Sequence, residues 1–266
     1  MEKYDVKFKK KFGQNFLKDI NIVKRIVDVS EVDKDSLVIE VGPGGGVMTR
    51  ELASRAKNVL AYEIDHDLED ELVKRLEEFD NVDILFQDFL TSDLVSDVSN
   101  YVYKKLYFVS NVPYYITTPI LMKLIESGLE FNKIVIMVQK EVGDRFTTLP
   151  GSREYGSITV LLNYFYDIKK EFFVSRKQFV PEPNVDSLIV SFKGKENRLE
   201  LNSFNHFERL IRDSFQFKRK TLRNNLKNYD LKKIEEVLKE YDYDLSVRAE
   251  NLSTEIFVQI SNALRK

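Results

Sequence analysis

Short apolar, β-branched runs alternate along the first half of the chain with longer segments whose apolar residues recur at helical spacing. The runs cover residues 37–41, 59–64, 82–86, 106–110 and 134–138, and their length and composition suit strands. Between them, residues 47–56, 66–79 and 117–127 carry the helical period. The last of these opens on Thr117-Thr118-Pro119, which suits a helix N-terminus. This rhythm predicts a doubly wound, mostly parallel α/β sheet.

Two further apolar runs, 158–166 and 187–192, flank the loop Gln178-Phe179-Val180-Pro181-Glu182-Pro183-Asn184 and are expected to form a terminal strand pair. The polar stretch Lys193-Gly194-Lys195-Glu196-Asn197 then marks a boundary. Beyond it, residues 204–215, 219–226, 231–241 and 253–264 have helical spacing. The expected organisation is a sheet domain over 1–195 and a small helical domain over 200–266.

Composition narrows the chemistry. There is no cysteine, so disulfides, thiolate metal sites and cysteine nucleophiles are excluded. The two histidines, His66 and His206, are far apart without a metal-ligand pattern, and both are expected at the surface. No metal is expected. The net charge of −2 does not by itself mark a nucleic-acid binder, but the charge is unevenly placed. Lys3, Lys7, Lys9, Lys10, Lys11 and Lys18 crowd the N-terminal stretch, and Arg209, Arg212, Lys218, Arg219, Lys220, Arg223 and Lys227 face Asp213 alone in the later one. The stretch 63–97 is acidic by contrast. There is no apolar run of roughly 18 residues that would span a bilayer, and the first residues lack a secretory pattern. A cytoplasmic location is expected.

The strongest local signal is Val38-Ile39-Glu40-Val41-Gly42-Pro43-Gly44-Gly45-Gly46, an apolar strand running into a glycine turn and then a helix. The dinucleotide fingerprint GxGxxG would need glycine at 47, where Val47 stands. The spacing of Gly42, Gly44 and Gly46 is instead the GxGxG of proteins that bind S-adenosylmethionine without a pyrophosphate. Glu63 ends the second strand about 20 residues on, where an acid can accept both ribose hydroxyl protons. Asp65 competes for that role. Asp88 ends the third strand, where a carboxylate can accept the adenine amine while Phe89 covers the ring.

The fourth strand ends in Ser110-Asn111-Val112-Pro113-Tyr114. Adenine N6 is a poor nucleophile because its lone pair is delocalised into the ring. The Asn111 side-chain oxygen and a carbonyl at or before Pro113 can each accept one N–H and localise that lone pair. Tyr114 can then stack on the base. Alone, the same tetrad would read as an Asn-Pro turn with a packed tyrosine; its place at a strand end in a chain with GxGxG points to function.

Lys11-Phe12-Gly13-Gln14-Asn15-Phe16-Leu17, the Glu-Val-Gly-Pro-Gly turn, Asn111-Val112-Pro113-Tyr114, Val138-Gln139-Lys140-Glu141-Val142, Tyr155-Gly156-Ser157 and Phe179-Val180-Pro181-Glu182-Pro183-Asn184-Val185-Asp186-Ser187 together resemble the ribosomal RNA adenine dimethyltransferase family. The resemblance runs from about residue 9 to the C-terminus. It implies a Rossmann-like class I methyltransferase sheet, mostly parallel with the last strand antiparallel, carrying a small C-terminal helical domain that binds RNA. It further implies that Asn15 and Leu17 hold the methionine end of S-adenosylmethionine with Gly42, and that Gly44 lies in the same turn. Glu63 would take the ribose and Asp88 the adenine, Asn111 would bridge cofactor and target base, and Phe179 would face the flipped adenine. Val112, Tyr115 and Gly45 depart from the commonest family residues without removing any of these groups.

Within the family, Phe217-Lys218-Arg219-Lys220-Thr221-Leu222-Arg223-Asn224-Asn225-Leu226 and Arg248-Ala249-Glu250-Asn251-Leu252-Ser253 resemble the housekeeping branch. That branch modifies two adjacent adenines near the 3′ end of small-subunit (16S) rRNA in the immature 30S subunit. Lys10, Lys11, Arg219, Lys220 and Arg223 would contact RNA, and a monomer is expected. Three other readings are weighed against this one: a large-subunit (23S) rRNA methyltransferase conferring macrolide resistance, a nicotinamide-dependent dehydrogenase, and a mainly structural small-subunit assembly factor.

Overall fold

The computed structural model describes residues 16–265; Lys10, Lys11 and Asn15 lie outside the described residues. Through residue 143 the chain forms one compact unit together with Lys169–Gly194, while Asp144–Ile168 joins the residues from Lys195 onward in a second.

In the first unit, a short strand β1 (Phe16–Leu17) leads into helix α1 (Ile20–Ser30), whose N-terminus is capped by the Asp19 carboxylate accepting from the Asn21 amide. The strand β2 (Ser36–Val41) is buried along its whole length, and a strand covered on both faces must be apolar nearly throughout. Helix α2 (Val47–Arg55) follows the glycine turn, and β3 (Asn58–Glu63) returns parallel to β2. After α3 (Glu69–Leu76), β4 (Val82–Phe86) pairs parallel to β3. The chain then crosses through α4 (Leu94–Ser99) to the other side of β2, where β5 (Lys105–Ser110) pairs with it in parallel.

Helix α5 (Thr117–Glu126), strand β6 (Lys133–Gln139) and helix α6 (Lys140–Phe146) continue the series. Strand β7 (Tyr166–Val174) is followed by β8 (Phe179–Val180), which pairs with β1 and sets Leu17 opposite Phe179. Strand β9 (Ser187–Gly194) runs antiparallel to β6, with Val190 opposite Ile136. The sheet order is β4-β3-β2-β5-β6-β9-β7, so the expected sheet, mostly parallel with an antiparallel late strand, is present. The order reverses between β2 and β5, and a ligand crevice belongs at the carboxyl ends of strands at such a point.

Alternation along β2 divides the core. Val38 packs on one face with Val23, Ile26 and Val27 of α1 and with Met48 and Leu52 of α2; Leu37 and Ile39, also fully buried, point to the other face.

The second unit is helical. It holds α7 (Ser157–Phe165), α8 (Phe204–Ser214), α9 (Leu222–Asn225), α10 (Leu231–Lys239) and α11 (Thr254–Ala263) around the buried Phe207, Leu210, Ile234, Leu238 and Phe257. Ser203, Asp230 and Ser253 cap α8, α10 and α11.

Two expectations are corrected here. Residues 158–165 are helical and the strand begins at Tyr166, because a short run that is apolar on every side does not distinguish a buried strand from a buried helix. Thr159, Val160, Leu161 and Leu162 are all buried in α7, and Asn163 donates back to the Thr159 carbonyl. His206 is buried rather than exposed, with Nδ1 lying 3.0 Å from the Ser261 hydroxyl. It sits on the inward face of α8, beside Phe207, while its charged sequence neighbour Arg209 is exposed and Glu208 half-buried.

At the end of β9 the backbone passes so close to its neighbour that a Cβ on Gly194 would lie 2.6 Å from the Phe131 carbonyl oxygen. Gly194→Ala is therefore expected to cost about 1–3 kcal/mol in stability. Urea unfolding measures this, and an unshifted midpoint would show that the strand end gives way without cost.

Candidate active site

The reversal of strand order opens a cavity of about 300 Å³ at the carboxyl ends of β2, β3 and β5 and beside the residues after β4. Such a volume suits a small-molecule ligand. The turn after β2 bends sharply, with Gly42 at φ 72° and Gly44 at φ 56°, conformations that side chains with a Cβ rarely adopt. Gly42 donates its amide to the Tyr62 carbonyl at 2.8 Å, fastening the turn to β3. Gly44 donates to Glu63 Oε2 at 3.2 Å, and Asp65 donates its amide to Glu63 Oε1 at 2.9 Å. Both Glu63 oxygens keep further acceptor capacity. The group is 4% exposed, and burial pushes its carboxyl above the usual range.

Asp65 is engaged in the next turn, where its carboxylate accepts from the Asp67 amide, and it does not line the cavity; Glu63 does. Asp88 uses Oδ1 to accept from the Leu90 amide at 2.9 Å, capping a short 3₁₀ turn over Phe89–Thr91. Phe89 beneath it is 3% exposed and meets Tyr62 edge-on at 5.1 Å and Phe108 at 6.0 Å. Leu17, Gly42, Gly44, Glu63, Asp88, Phe89, Asn111, Pro113 and Tyr114 all line the same cavity.

The Tyr114 hydroxyl lies 2.7 Å from Ser187 Oγ. This bond fixes the ring, and burial raises its pKa. Tyr115 is 67% exposed at the cavity rim. Phe179 lies elsewhere: it is 1% exposed in the core beside Leu17 and does not line the cavity, so its ring offers no open face to a base in this structure. In the second unit Arg219, Lys220 and Arg223 are exposed. The loop before them is braced by Asn225, whose Nδ2 donates to the Ser214 and Phe217 carbonyls.

Sequence reasoning passed over three groups. Glu40 lines the cavity at 1% exposure, and among the described residues its carboxylate closes no hydrogen bond, the nearby Thr49 hydroxyl falling outside bonding geometry. A charged residue inside the apolar Val38-Ile39-Glu40-Val41 strand was the available signal. Ser110 bonds both backbone groups of Val41, and Ser187 holds Tyr114; neither leaves a mark in a one-dimensional pattern.

The site fits S-adenosylmethionine on its own geometry. That molecule carries a sulfonium and an ammonium, and the cavity offers it Glu40, an acid without a partner among the described residues. It also offers Glu63 with acceptor capacity for a ribose and an apolar floor at Phe89. A glycine turn at the switch point of a mostly parallel sheet, with acids at successive strand ends, defines a class I S-adenosylmethionine-dependent methyltransferase.

The chain matches the family model described as "Ribosomal RNA adenine dimethylase" over residues 5–266, and it belongs to that family. It is 44% identical over 275 residues to the "Ribosomal RNA small subunit methyltransferase A" of Ligilactobacillus salivarius, covering 100% of this chain and 93% of the relative. A dimethyladenosine transferase from Plasmodium falciparum superposes with a TM-score of 0.79 at 28% identity, covering 92% of this chain and 95% of that one. The 23S rRNA methyltransferase ErmE superposes with a TM-score of 0.73 at 26% identity, covering 94% and 100%. The protein is an rRNA methyltransferase that uses S-adenosylmethionine.

Burial and the neighbouring Glu63 raise the Glu40 carboxyl from 4.5 to about 8, with Thr49 opposing the shift. A raised acid is fully tolerated below its unfolded value and costs stability as pH climbs toward its folded value. The ligand-free protein is therefore expected to lose stability between about pH 4.5 and 8. Glu40→Gln should flatten that slope and raise stability at pH 8 by about 1–3 kcal/mol. Urea titrations across this range decide it; parallel curves for parent and variant would place the slope on another group.

Proposed function

We propose that this protein dimethylates N6 of two adjacent adenosines near the 3′ end of small-subunit (16S) rRNA, acting as a cytoplasmic monomer on the immature 30S subunit. The observation that carries this reading is the whole-chain likeness to a small subunit methyltransferase A at 44% identity, against 26% for the 23S enzyme ErmE. The dehydrogenase reading is set aside by the family match. Among the described residues no helix is long and apolar enough to cross a membrane. Primer extension across the small-subunit 3′ end in a deletion strain tests the reading, since dimethylated N6 blocks pairing and halts the polymerase. Loss of the stop supports it, and a persistent stop rejects it.

When bound, the cofactor supplies an electrophilic methyl group on sulfur. The chain would align the partners: Glu63 would accept from the ribose hydroxyls, Asp88 would accept from the adenine amine, and Phe89 would support the ring. Leu17, Gly42 and Gly44 would hold the methionine end, with Asn15, which lies outside the described residues, assigned to the same role by the family resemblance. The Asn111 side-chain oxygen and the carbonyl beside Pro113 accept the two N–H bonds of the target N6. Its lone pair would thereby be turned toward an incoming methyl group, the alignment that direct in-line transfer to nitrogen requires. The Tyr114 ring, held by Ser187, stacks on the target base. Phe179 would take part only after leaving its place in the core. Lys10, Lys11, Arg219, Lys220 and Arg223 contact RNA phosphates.

Asn111→Ala should keep most cofactor and RNA affinity while losing about 10²- to 10³-fold in turnover, by analogy with the loss of one preorganised hydrogen-bonding group. Tyr114→Phe should be milder, because stacking needs the ring. Single-turnover methylation of immature small subunits separates them; the reverse ranking would make the tyrosine hydroxyl the essential group.

Replacing Arg219, Lys220 and Arg223 together by alanine should lower the slope of log affinity for RNA against log salt by about 2–3 units, with cofactor affinity unchanged. An unaltered slope would assign these side chains to a solvated face.

A further inference from the structure

Lys123 projects from the last turn of α5 to the 3₁₀ turn that follows Asp88. Its Nζ donates to the Leu90 carbonyl at 3.1 Å and to the Ser92 carbonyl at 2.6 Å, and lies 5.4 Å from the centre of the Phe89 ring. The bracing is needed because the turn has little regular structure of its own. It is closed by the Asp88 cap on Leu90, by Thr91 and Ser92 amides donating to the Asp88 and Phe89 carbonyls, and by the Ser92 hydroxyl donating to Phe89. The Asp88 cap ties up one carboxylate oxygen, so the orientation of the other depends on where Leu90 sits. A cation on two carbonyls of a five-residue loop, with an aromatic ring alongside, fixes that position more firmly than any one neutral hydrogen bond.

Helix α5 starts two residues after the Asn111–Tyr114 segment, and Thr117 at its first position is buried. The same helix therefore follows the tetrad at its N-terminus and braces the loop carrying Asp88 from its last turn.

We propose that Lys123 is a positioning residue for cofactor recognition: by clamping the Leu90 and Ser92 carbonyls it holds Asp88 where it distinguishes a 6-amino from a 6-oxo purine. The inference rests on the reading of Asp88 as the acceptor for the cofactor's adenine amine. A mispositioned acceptor still admits the ligand, through Glu63 and the glycine turn, but loses its preference for an amine that donates over an oxygen that cannot.

Calorimetry with the full-length protein, comparing S-adenosylhomocysteine with S-inosylhomocysteine, tests the inference. The parent should prefer the adenosyl form by about tenfold or more. Lys123→Met, which keeps the aliphatic stem, should lower that ratio about fivefold or more while leaving inosyl affinity within about twofold. Lys123→Arg, which keeps charge and donors, should recover part of the preference. Hydrogen exchange should rise in Lys123→Met across residues 88–92 and not along β2. A parent that binds the two ligands equally would overturn the Asp88 reading and this inference with it. A parent that discriminates beside a Lys123→Met that discriminates equally well, or that weakens both ligands in proportion, would overturn the role of Lys123 alone. If Lys123→Met does not fold, Lys123→Gln is read by the same ratio.

Discussion

One hydroxyl holds the two halves of the site together. The backbone pairing of β2 with β5 runs from Ser36 opposite Lys105 to Ile39 opposite Phe108 and goes no further. Two residues on, Ser110 Oγ donates to the Val41 carbonyl at 2.5 Å and accepts from the Val41 amide at 3.3 Å, wholly out of contact with water. A side chain thus replaces the ladder where the strands begin to part. Gly42 follows Val41 and Asn111 follows Ser110, so the glycine turn and the Asn111–Tyr114 segment, both lining the cavity, start from one fastened point. Catalysis that depends on alignment rather than on a covalent intermediate needs that fixed separation, since small misplacements of reacting groups are costly.

The electrostatics are arranged for a cationic guest. Glu40 and Glu63 are both buried in the wall of one cavity, burial raises both pKa values, and the Glu63 charge adds to the cost of ionising Glu40. Glu63 is stabilised by two backbone amides, whereas Glu40 has no partner among the described residues. An unpaired buried acid weakens the ligand-free protein, and any ligand that binds only the folded state recovers stability in proportion to its occupancy. The positive charges of S-adenosylmethionine meet this need, and a neutral nucleoside would not. The same carboxylates that make the ligand-free protein sensitive to pH therefore favour the charged methyl donor.

The strand ends were legible in the sequence because strands buried on both faces leave unbroken apolar runs, and the residues that interrupt them, Glu63, Asp88 and Asn111, are the ones that line the cavity. Gly42 and Gly44 were legible for a related reason: both hold positive φ, where other residues are strained. What stayed hidden was whatever depends on partners distant in the chain. Helix α1 escaped notice because Ile20-Asn21-Ile22-Val23 is rich in β-branched residues, and its place is set by packing on β5, β6 and β9 and on α2. The helix at Ser157–Phe165 was mistaken for a strand because it is apolar around its whole circumference. His206 was misplaced because its neighbours in sequence are polar while its neighbours in space are Ser261 and Tyr229. The bonds of Ser110 and Ser187 are invisible to any period.

The likeness to ErmE bears on where substrate choice resides. A protein named for 23S rRNA shares the fold across 94% of this chain at 26% identity, so the scaffold is common to enzymes acting on different RNAs, and fold alone does not select between them. Under the proposed function, that choice would rest on the groups that meet RNA. The exposed run Phe217-Lys218-Arg219-Lys220 has the chemistry for this. Its cations can displace the counterions condensed on RNA phosphates, beside an aromatic ring that is 56% exposed. Its loop is held in shape by the Asn225 amide bonding the Ser214 and Phe217 carbonyls, so the cations are presented in a set arrangement rather than as a diffuse positive charge. Set arrangements of charge recognise the shape of a folded RNA rather than its sequence.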